Sequence, residues 1–408
     1  YYSAKHFNGK SDNGSVTEMF TNYTTLVSST TLNFNKTFNE KHTVGALVGF
    51  EVEDNNTDFV RATGENLPVG SLQTVATAGI LDANAYWWGN SIMSILSRAE
   101  YNYDNKYYIS GSYRRDGSSR FGQEKQFATF PSVSAGWTIT NEKFMTNFKA
   151  KTGISQIKLR ASWGINGNVN SLGSYQYAST LGTSVGNGYD FEDGNGMILG
   201  ASPSATLPNP NIKWETTTTY NVGVDFGFLG DRITGNVDAY LRNTDDLLNS
   251  VLTPMGSNFG NTVLTNVGSM QNKGIEFALN VIPVQTTDWH LSIGVNGTFQ
   301  DTKITKLNAT DDDSYYIQTS GISHGTGSYV GRHQVGYAPY SYWVFQQLYD
   351  SEGMPIQNAF VDLNEDGVIN NDDRYCAGDP NPDFYYGLNV KLSYKNWDFG
   401  FNGHGSFG

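Results

Sequence analysis

The segment Tyr107-Tyr108-Ile109-Ser110-Gly111-Ser112-Tyr113-Arg114 alternates apolar or small side chains at its odd positions with mostly polar ones at its even positions. Residues 157–163 (Ile-Lys-Leu-Arg-Ala-Ser-Trp) and 289–296 (Trp-His-Leu-Ser-Ile-Gly-Val-Asn) repeat the pattern. Successive side chains of a strand point to opposite faces. The alternation therefore predicts strands with one apolar and one polar face.

Strands of this kind come in pairs along the chain. We predict twelve, at 29–38, 42–51, 92–103, 106–115, 129–140, 155–166, 215–228, 232–243, 273–283, 288–300, 384–395 and 397–408. The alternation of Tyr23, Thr25 and Val27 allows the first strand to begin earlier, at Ser15. Short connections, one with a short helix near 142–148, alternate with long ones at 52–91, 116–128, 167–214, 244–272 and 301–383. Short periplasmic turns and long extracellular loops are typical of a transmembrane antiparallel β-barrel in an outer membrane.

Composition supports this all-β fold class. Aromatic residues make up 14% and charged residues only 16% of the chain, whereas soluble domains carry about 25% charged residues. No tract approaches the ~18 apolar residues of a spanning helix. A net charge of −13 argues against a nucleic-acid partner, and the single Cys376 excludes an internal disulfide.

A soluble β-sandwich, or a row of them, is the main alternative fold. It also gives alternating strands, but it predicts no alternation of loop lengths. The apolar face is rich in aromatic residues near the ends of the strands, as at Tyr101, Trp137 and Trp289, which favours the barrel.

The number of strands implies a larger molecule. An open twelve-stranded sheet would leave two unpaired edges in lipid, which hydrocarbon does not tolerate. We therefore expect residues 1–408 to be part of one β-barrel domain, with the first strands and the last strands outside this chain.

Several motifs carry a family resemblance. They occupy 98–103, 113–122, 130–137, 159–164, 211–215, 266–276, 362–373 and 381–384. In this order they resemble the SusC-like (RagA-like) branch of TonB-dependent outer-membrane transporters of Bacteroidota. The resemblance covers most of residues 92–408.

The resemblance implies a bacterial outer-membrane barrel of 22 strands around a plug, surrounded by membrane lipid. It also implies a SusD-like surface lipoprotein as a lid and energy from the TonB–ExbB–ExbD complex. The expected function is active import of oligosaccharides or peptides. Two alternatives remain: a passive porin-like or structural barrel, and a secreted multi-sandwich glycan-binding protein.

One loop has the oxygen spacing of a calcium site. Side-chain oxygens fall at loop positions 1, 3 and 5, glycine at 6, a backbone carbonyl at 7 and a carboxylate at 12. The candidate ligands are Asp362, Asn364, Asp366, Val368, Asn370 and Asp373. We expect Ca²⁺ there to brace an external loop. The alternative is a turn whose side chains hydrogen-bond to their own backbone.

Enzyme signatures are missing from the sequence. There is no Gly-x-Ser-x-Gly elbow, no Walker loop and no His-Glu-x-x-His helix. The acidic run Asp311–Asp313 and the glycines of 325–331 are best read as external loop. Aromatic residues in long loops are the candidate substrate contacts, because aromatic rings stack on sugars and anchor interfaces. They are Trp87, Trp88, Tyr315, Tyr316 and Trp343.

The charges of one strand give an orientation test. Lys158 and Arg160 alternate with Ile157, Leu159 and Trp163, so the cations should point into the lumen. A cation on the lipid face costs about 2–4 kcal/mol near mid-membrane. We therefore expect Leu159→Arg to impair assembly and Arg160→Leu to be tolerated.

Overall fold

The computed structural model describes residues 1–189, 198–203, 206–254, 256, 261–308, 314–322 and 329–408. These residues form an almost entirely β protein. Its strands are β1 (Ser15–Phe38), β2 (His42–Glu65), β3 (Ile80–Tyr103), β4 (Tyr107–Ser118), β5 (Phe127–Thr138), β6 (Ile154–Asn168), β7 (Leu181–Tyr189), β8 (Ile198–Pro203), β9 (Thr206–Leu207), β10 (Glu215–Phe228), β11 (Ile233–Leu252), β12 (Thr262–Gln285), β13 (Trp289–Lys306), β14 (Tyr316–Gly321), β15 (Tyr329–Gln334), β16 (Ser341–Phe345), β17 (Gln347–Tyr349), β18 (Pro355–Phe360), β19 (Arg374–Cys376), β20 (Phe384–Tyr394) and β21 (Trp397–Phe407).

Twelve strands form one antiparallel sheet in chain order. The order is β1-β2-β3-β4-β5-β6-β10-β11-β12-β13-β20-β21, and β9 adds to β12 in parallel. All twelve predicted strands are confirmed. A sheet whose neighbours are also neighbours in sequence is the up-and-down arrangement of a membrane barrel.

The short connections all join the strands at the same end of the sheet. The strand ends on that side fall within two residues of the predicted bounds. Left-handed residues make the turns: Asn39 and Glu40 between β1 and β2, and Asp104 and Asn105 between β3 and β4. Two consecutive positive φ angles suit the turn that matches strand twist. Asn and Asp tolerate this conformation because their short side chains bond locally.

The predicted helix near 142–148 joins β5 to β6. It consists of two 3₁₀ turns, Ile139–Asn141 and Lys143–Met145, followed by α1 (Thr146–Thr152). Gly153, with φ 71°, ends α1 and donates its N–H to the carbonyl of Lys149, as left-handed C-caps do. None of the described helices combines the length and apolarity needed to cross a membrane.

At the opposite end of the strands, the long connections contain far more strand than predicted. Residues 52–65 and 80–91, predicted as loop, continue β2 and β3, and β1 begins at Ser15. The three strands have 24 residues each, whereas about 9–11 residues cross a bilayer. The alternation of Tyr23, Thr25 and Val27 anticipates the early start of β1, but residues 52–65 and 80–91 lack a strict alternation, so the extensions of β2 and β3 were not predicted.

A small apolar core joins the loops above β4–β6 and β10. It consists of Phe121, Phe130, Val169, Leu172, Ile212 and Trp214. Trp214 lies 5.1 Å from Phe121 and 5.4 Å from Phe130, and its Nε1 donates to the Gln126 carbonyl at 2.9 Å. This packing fixes two long connections, β4–β5 and β6–β10, to one another and to the sheet.

Candidate functional site

The strand register separates an apolar face from a polar face of the sheet. Leu159 pairs with Trp137 on one side and with Val224 on the other, and Val224 pairs with Val237. These side chains line an apolar groove, and Leu159 is 39% exposed. An exposed apolar surface of this kind is what the outer, lipid-facing side of a barrel presents.

Arg160 points to the polar face, opposite Leu159, as predicted. Its Nη2 lies 2.8 Å from Asp225 Oδ1 and 2.9 Å from Asp238 Oδ2. Asn236 Nδ2 also donates to Asp238 at 2.8 Å. Gly223 lies beneath this group, where a Cβ atom would come within 2.2 Å of Asp238 Oδ1.

These contacts revise the expectation that Arg160→Leu is tolerated. The side chain of Asp238 is only 8% exposed, and removing Arg160 would leave that carboxylate without its cation. An unpaired buried charge destabilises a protein strongly.

A second polar network crosses β2, β3 and β4. Arg114 Nε lies 2.7 Å from Asp116 Oδ1, and Arg114 Nη2 lies 2.9 Å from Ser94 Oγ and 3.4 Å from Glu51 Oε1. Ser110 and Ser134 bond across neighbouring strands at 2.7 Å. The polar face therefore carries charges that largely neutralise one another, which suits the wall of a water-filled passage.

The aromatic candidates Trp87 and Trp88 lie in the extension of β3 and not in a loop. Trp88 stacks at 5.4 Å on Tyr86, whose ring is 4.6 Å from Phe59. Trp87 points to the opposite face and is 72% exposed. Only Trp88 thus shares a face with an aromatic row, and its role in substrate contact stays a prediction.

The other aromatic candidates lie in the connection between β13 and β20. Tyr315 precedes β14, Tyr316 begins it, and Trp343 is in β16. The guanidinium of Arg332 lies between two of these rings, 3.7 Å from the centre of Tyr316 and 4.2 Å from that of Trp343. One face of each ring therefore already holds a cation.

Arg332 is the residue that sequence reasoning missed. It is 9% exposed, and burial lowers the pKa of its guanidinium. Nothing local could have found it, because Tyr316, Arg332 and Trp343 meet only through the pairing of β14 with β15 and of β15 with β16.

The predicted calcium loop is closed by bonds to its own backbone. Asp362 accepts from the N–H of Asp366 at 3.2 Å and of Gly367 at 2.7 Å. Asn364 accepts from the N–H of Asp366 at 3.1 Å, and Asp366 from that of Val368 at 2.8 Å. These contacts are those of the alternative turn interpretation.

Asp373 closes the loop from its far end. It is fully buried and accepts from the N–H groups of Leu363 at 2.9 Å and Asn370 at 2.8 Å. The N–H of Asn370 is the first cause of a lowered pKa for this carboxyl. Across the described ranges no three acidic, His or Cys side chains are placed to hold a metal ion. The calcium site stays a prediction.

A polar cavity of about 270 Å³ lies at the loop end of β13. Gln300, Thr302, Tyr337, Asp379 and Asn381 are among its lining residues. Two other sequence features, Asp311–Asp313 and the glycines at 325 and 327, lie outside the described residues.

Comparison with known proteins gives consistent matches. A family model described as TonB dependent receptor-like, beta-barrel matches residues 1–404. The TonB-dependent receptor SusC of Bacteroides thetaiotaomicron is 41% identical over 327 residues, which are 80% of this chain and 32% of SusC. The TonB-dependent receptor P26 of Formosa agariphila is 30% identical over 397 residues, which are 93% of this chain and 38% of P26.

Solved structures share the fold. The RagAB peptide transporter superposes with a TM-score of 0.75 and 23% identity, over 95% of this chain and 42% of that chain. The outer membrane transporter YddB from Escherichia coli gives a TM-score of 0.51 and 9% identity, over 92% of this chain and 41% of that chain. The chain thus spans about a third of the length of the curated relatives it matches.

Proposed function

Because this chain belongs to the TonB-dependent receptor-like β-barrel family, we propose that the whole protein actively imports oligosaccharides or peptides across the outer membrane. The chain is SusC-like and lies in the bacterial outer membrane. Its family consists of receptors and not of enzymes. The observation that carries the proposal is 41% identity to SusC over 80% of the chain.

The two faces of the sheet support a passage through the membrane. Its apolar face, around Leu159, suits lipid, while the polar face carries the ion pairs of Arg114 and Arg160. Charges that are already paired can line a passage without holding a charged cargo tightly, and release is as necessary for transport as entry.

The long connections supply the capture surface in this proposal. Two features lie at the strand ends opposite the short periplasmic turns: the extension of β1–β3 and the small sheets between β13 and β20. In such a barrel these ends are on the extracellular side. A SusD-like lipoprotein would cover this surface, and TonB–ExbB–ExbD would drive release through a plug outside this chain.

Uptake assays test the proposal. A strain lacking this gene, complemented with the full-length gene, would be given fluorescent oligosaccharide and peptide mixtures, with and without a functional TonB. We expect uptake only when both transporter and TonB are present. Uptake that persists without TonB would identify a passive porin.

The lid is tested separately. Detergent extraction of the tagged transporter is expected to co-purify a surface lipoprotein from the same operon. A matched purification of an unrelated tagged outer-membrane barrel is the control. Recovery of the transporter without a lipoprotein partner would contradict this part of the proposal.

A further inference from the structure

The four-stranded sheet β14-β15-β16-β19 presents one face made of donors and aromatic rings. Gln318 pairs with Arg332, Arg332 with Ser341, and Phe345 with Arg374. Every second residue of a strand points to the same side of the sheet. We call the side that contains Arg332 and Arg374 the arginine face. We define it as Tyr316, Gln318, Arg332, Gln334, Ser341, Trp343, Phe345, Arg374 and Cys376.

Arg332 is a buried cation without an acidic partner among the residues that the structure describes. In the described part of the chain no carboxylate lies within 4.0 Å of its guanidinium. Its Nη1 donates to Gln334 Oε1 at a long 3.4 Å. Cation–π contacts with the two aromatic rings stabilise the charge, but the rings supply no anionic acceptor for its N–H groups.

Two other donors on the same face have no acceptor among the described residues. Trp343 Nε1 and Arg374 Nε are buried and, among the described residues, have no hydrogen-bond partner. Arg374 Nη1 donates to the carbonyl of Tyr329 at 2.8 Å. Buried polar groups in proteins nearly always have a partner, so the unmatched donors call for an acceptor supplied from elsewhere.

Nothing on the arginine face could supply that acceptor as an anion, because none of its nine residues is acidic. Two guanidinium groups and the indole N–H of Trp343 belong to this face. A carboxylate is acceptor-only and flat, and it accepts two parallel bonds from the edge of an arginine. A carboxylate would bind the edge of this guanidinium and not the gap between the rings of Tyr316 and Trp343, because Arg332 already fills that gap.

We propose that the arginine face binds a carboxylate group of the imported cargo, with Arg332 as its main ligand. The inference rests on the proposed import function for the source of the carboxylate, which is either an acidic sugar or an acidic peptide. The face lies in the connection between β13 and β20, on the capture side of the sheet.

Calorimetry on the purified full-length transporter with its lid tests the proposal. The probes are two matched pairs: trigalacturonate against its methyl ester, and Gly-Gly-Glu-amide against Gly-Gly-Gln-amide. We expect the acidic member of one pair to bind at least about tenfold more tightly. The pair that shows the preference identifies the source.

Variants assign the effect to this face. Arg332→Gln should abolish the preference, and Trp343→Phe, which keeps a ring but removes the N–H donor, should reduce it several-fold. Arg61→Gln is the matched control, because Arg61 is a half-exposed cation in the extension of β2. The control should keep the preference.

The proposal is overturned if neither pair shows an acid preference, or if Arg332→Gln and Trp343→Phe both retain it. It is also overturned if Arg332→Gln releases the lid lipoprotein and leaves the preference unchanged. Binding in detergent needs no TonB, so a negative result here is separable from a failure of TonB-dependent uptake.

Discussion

Single residues on β6 test which face of the sheet meets lipid. Leu159 is on the apolar face, and Ser162, three positions later, is an exposed residue of the polar face that pairs with Ser134 and Asn221. We predict that Leu159→Arg blocks assembly, since a cation facing lipid costs about 2–4 kcal/mol. Ser162→Arg should assemble normally. Heat-modifiable gel mobility of outer-membrane fractions measures this, and equal behaviour of the two variants would contradict the orientation.

Arg160 itself should not be dispensable. Arg160→Leu leaves the carboxylates of Asp225 and Asp238 unpaired, which should destabilise the barrel by about 1–3 kcal/mol. Arg242→Leu is the control, because Arg242 is exposed on the same face and its guanidinium stacks 4.4 Å from Tyr240. Thermal unfolding in detergent compares them. An Arg160→Leu barrel as stable as the control would show that the ion pairs contribute little.

The Asp362–Asp373 loop has its own measurement. If the loop binds calcium, calorimetric titration of the full-length transporter with Ca²⁺ should give a heat of binding. This heat should disappear in Asp366→Ala, because loop position 5 supplies a side-chain oxygen to such a site. Identical heats from the two proteins would leave only the turn that the backbone hydrogen bonds already form.

At the scale of elements, the β14-β15-β16-β19 sheet should weaken in acid. Burial of His333, whose ring packs on Tyr340, lowers its pKa below the usual value of about 6.5. The unfolded segment then binds a proton more readily than the folded one. Stability from neutral His333 is therefore complete above about pH 6.5 and decreases as the pH falls toward the folded pKa.

Hydrogen exchange of β15 and β16 amides checks this. After correction for the intrinsic exchange rates at each pH, these amides should be less protected from exchange at pH 5.5 than at pH 7.5. The substitution His333→Phe should remove this difference. The amides of β4 in the membrane sheet serve as an internal control. A pH effect that survives in His333→Phe would have to come from another group.

The elements also show what local patterns can predict. Strand ends at the short turns were predicted well, because Asn, Asp and Gly mark the turns and lipid imposes alternation on the flanking residues. At the opposite ends, β2 extends 14 residues beyond its predicted bound and β3 begins 12 residues before its own. There apolar and polar residues do not strictly alternate, as at Ile80, Leu81 and Trp87, and only pairing along the whole register reveals a strand.

For the whole molecule, the twelve-stranded sheet predicts the behaviour of an outer-membrane barrel. The full-length protein should remain in the membrane fraction without detergent and run as a compact, faster band on gels until it is boiled. Boiling breaks the continuous strand ladder, and the chain then migrates at its true mass. Release in soluble form without detergent would favour the secreted multi-sandwich alternative.

The sequence by itself determined the twelve strands, the two faces of their sheet, the resemblance to SusC-like transporters and the orientation of Leu159 and Arg160. These follow from alternation and motifs, which are local. Only the tertiary structure decided that Asp225 and Asp238 share Arg160, that Trp87 and Trp88 extend a strand, and that Tyr316 and Trp343 enclose Arg332. Such contacts join residues far apart in sequence, and they depend on which strands pair and in what register.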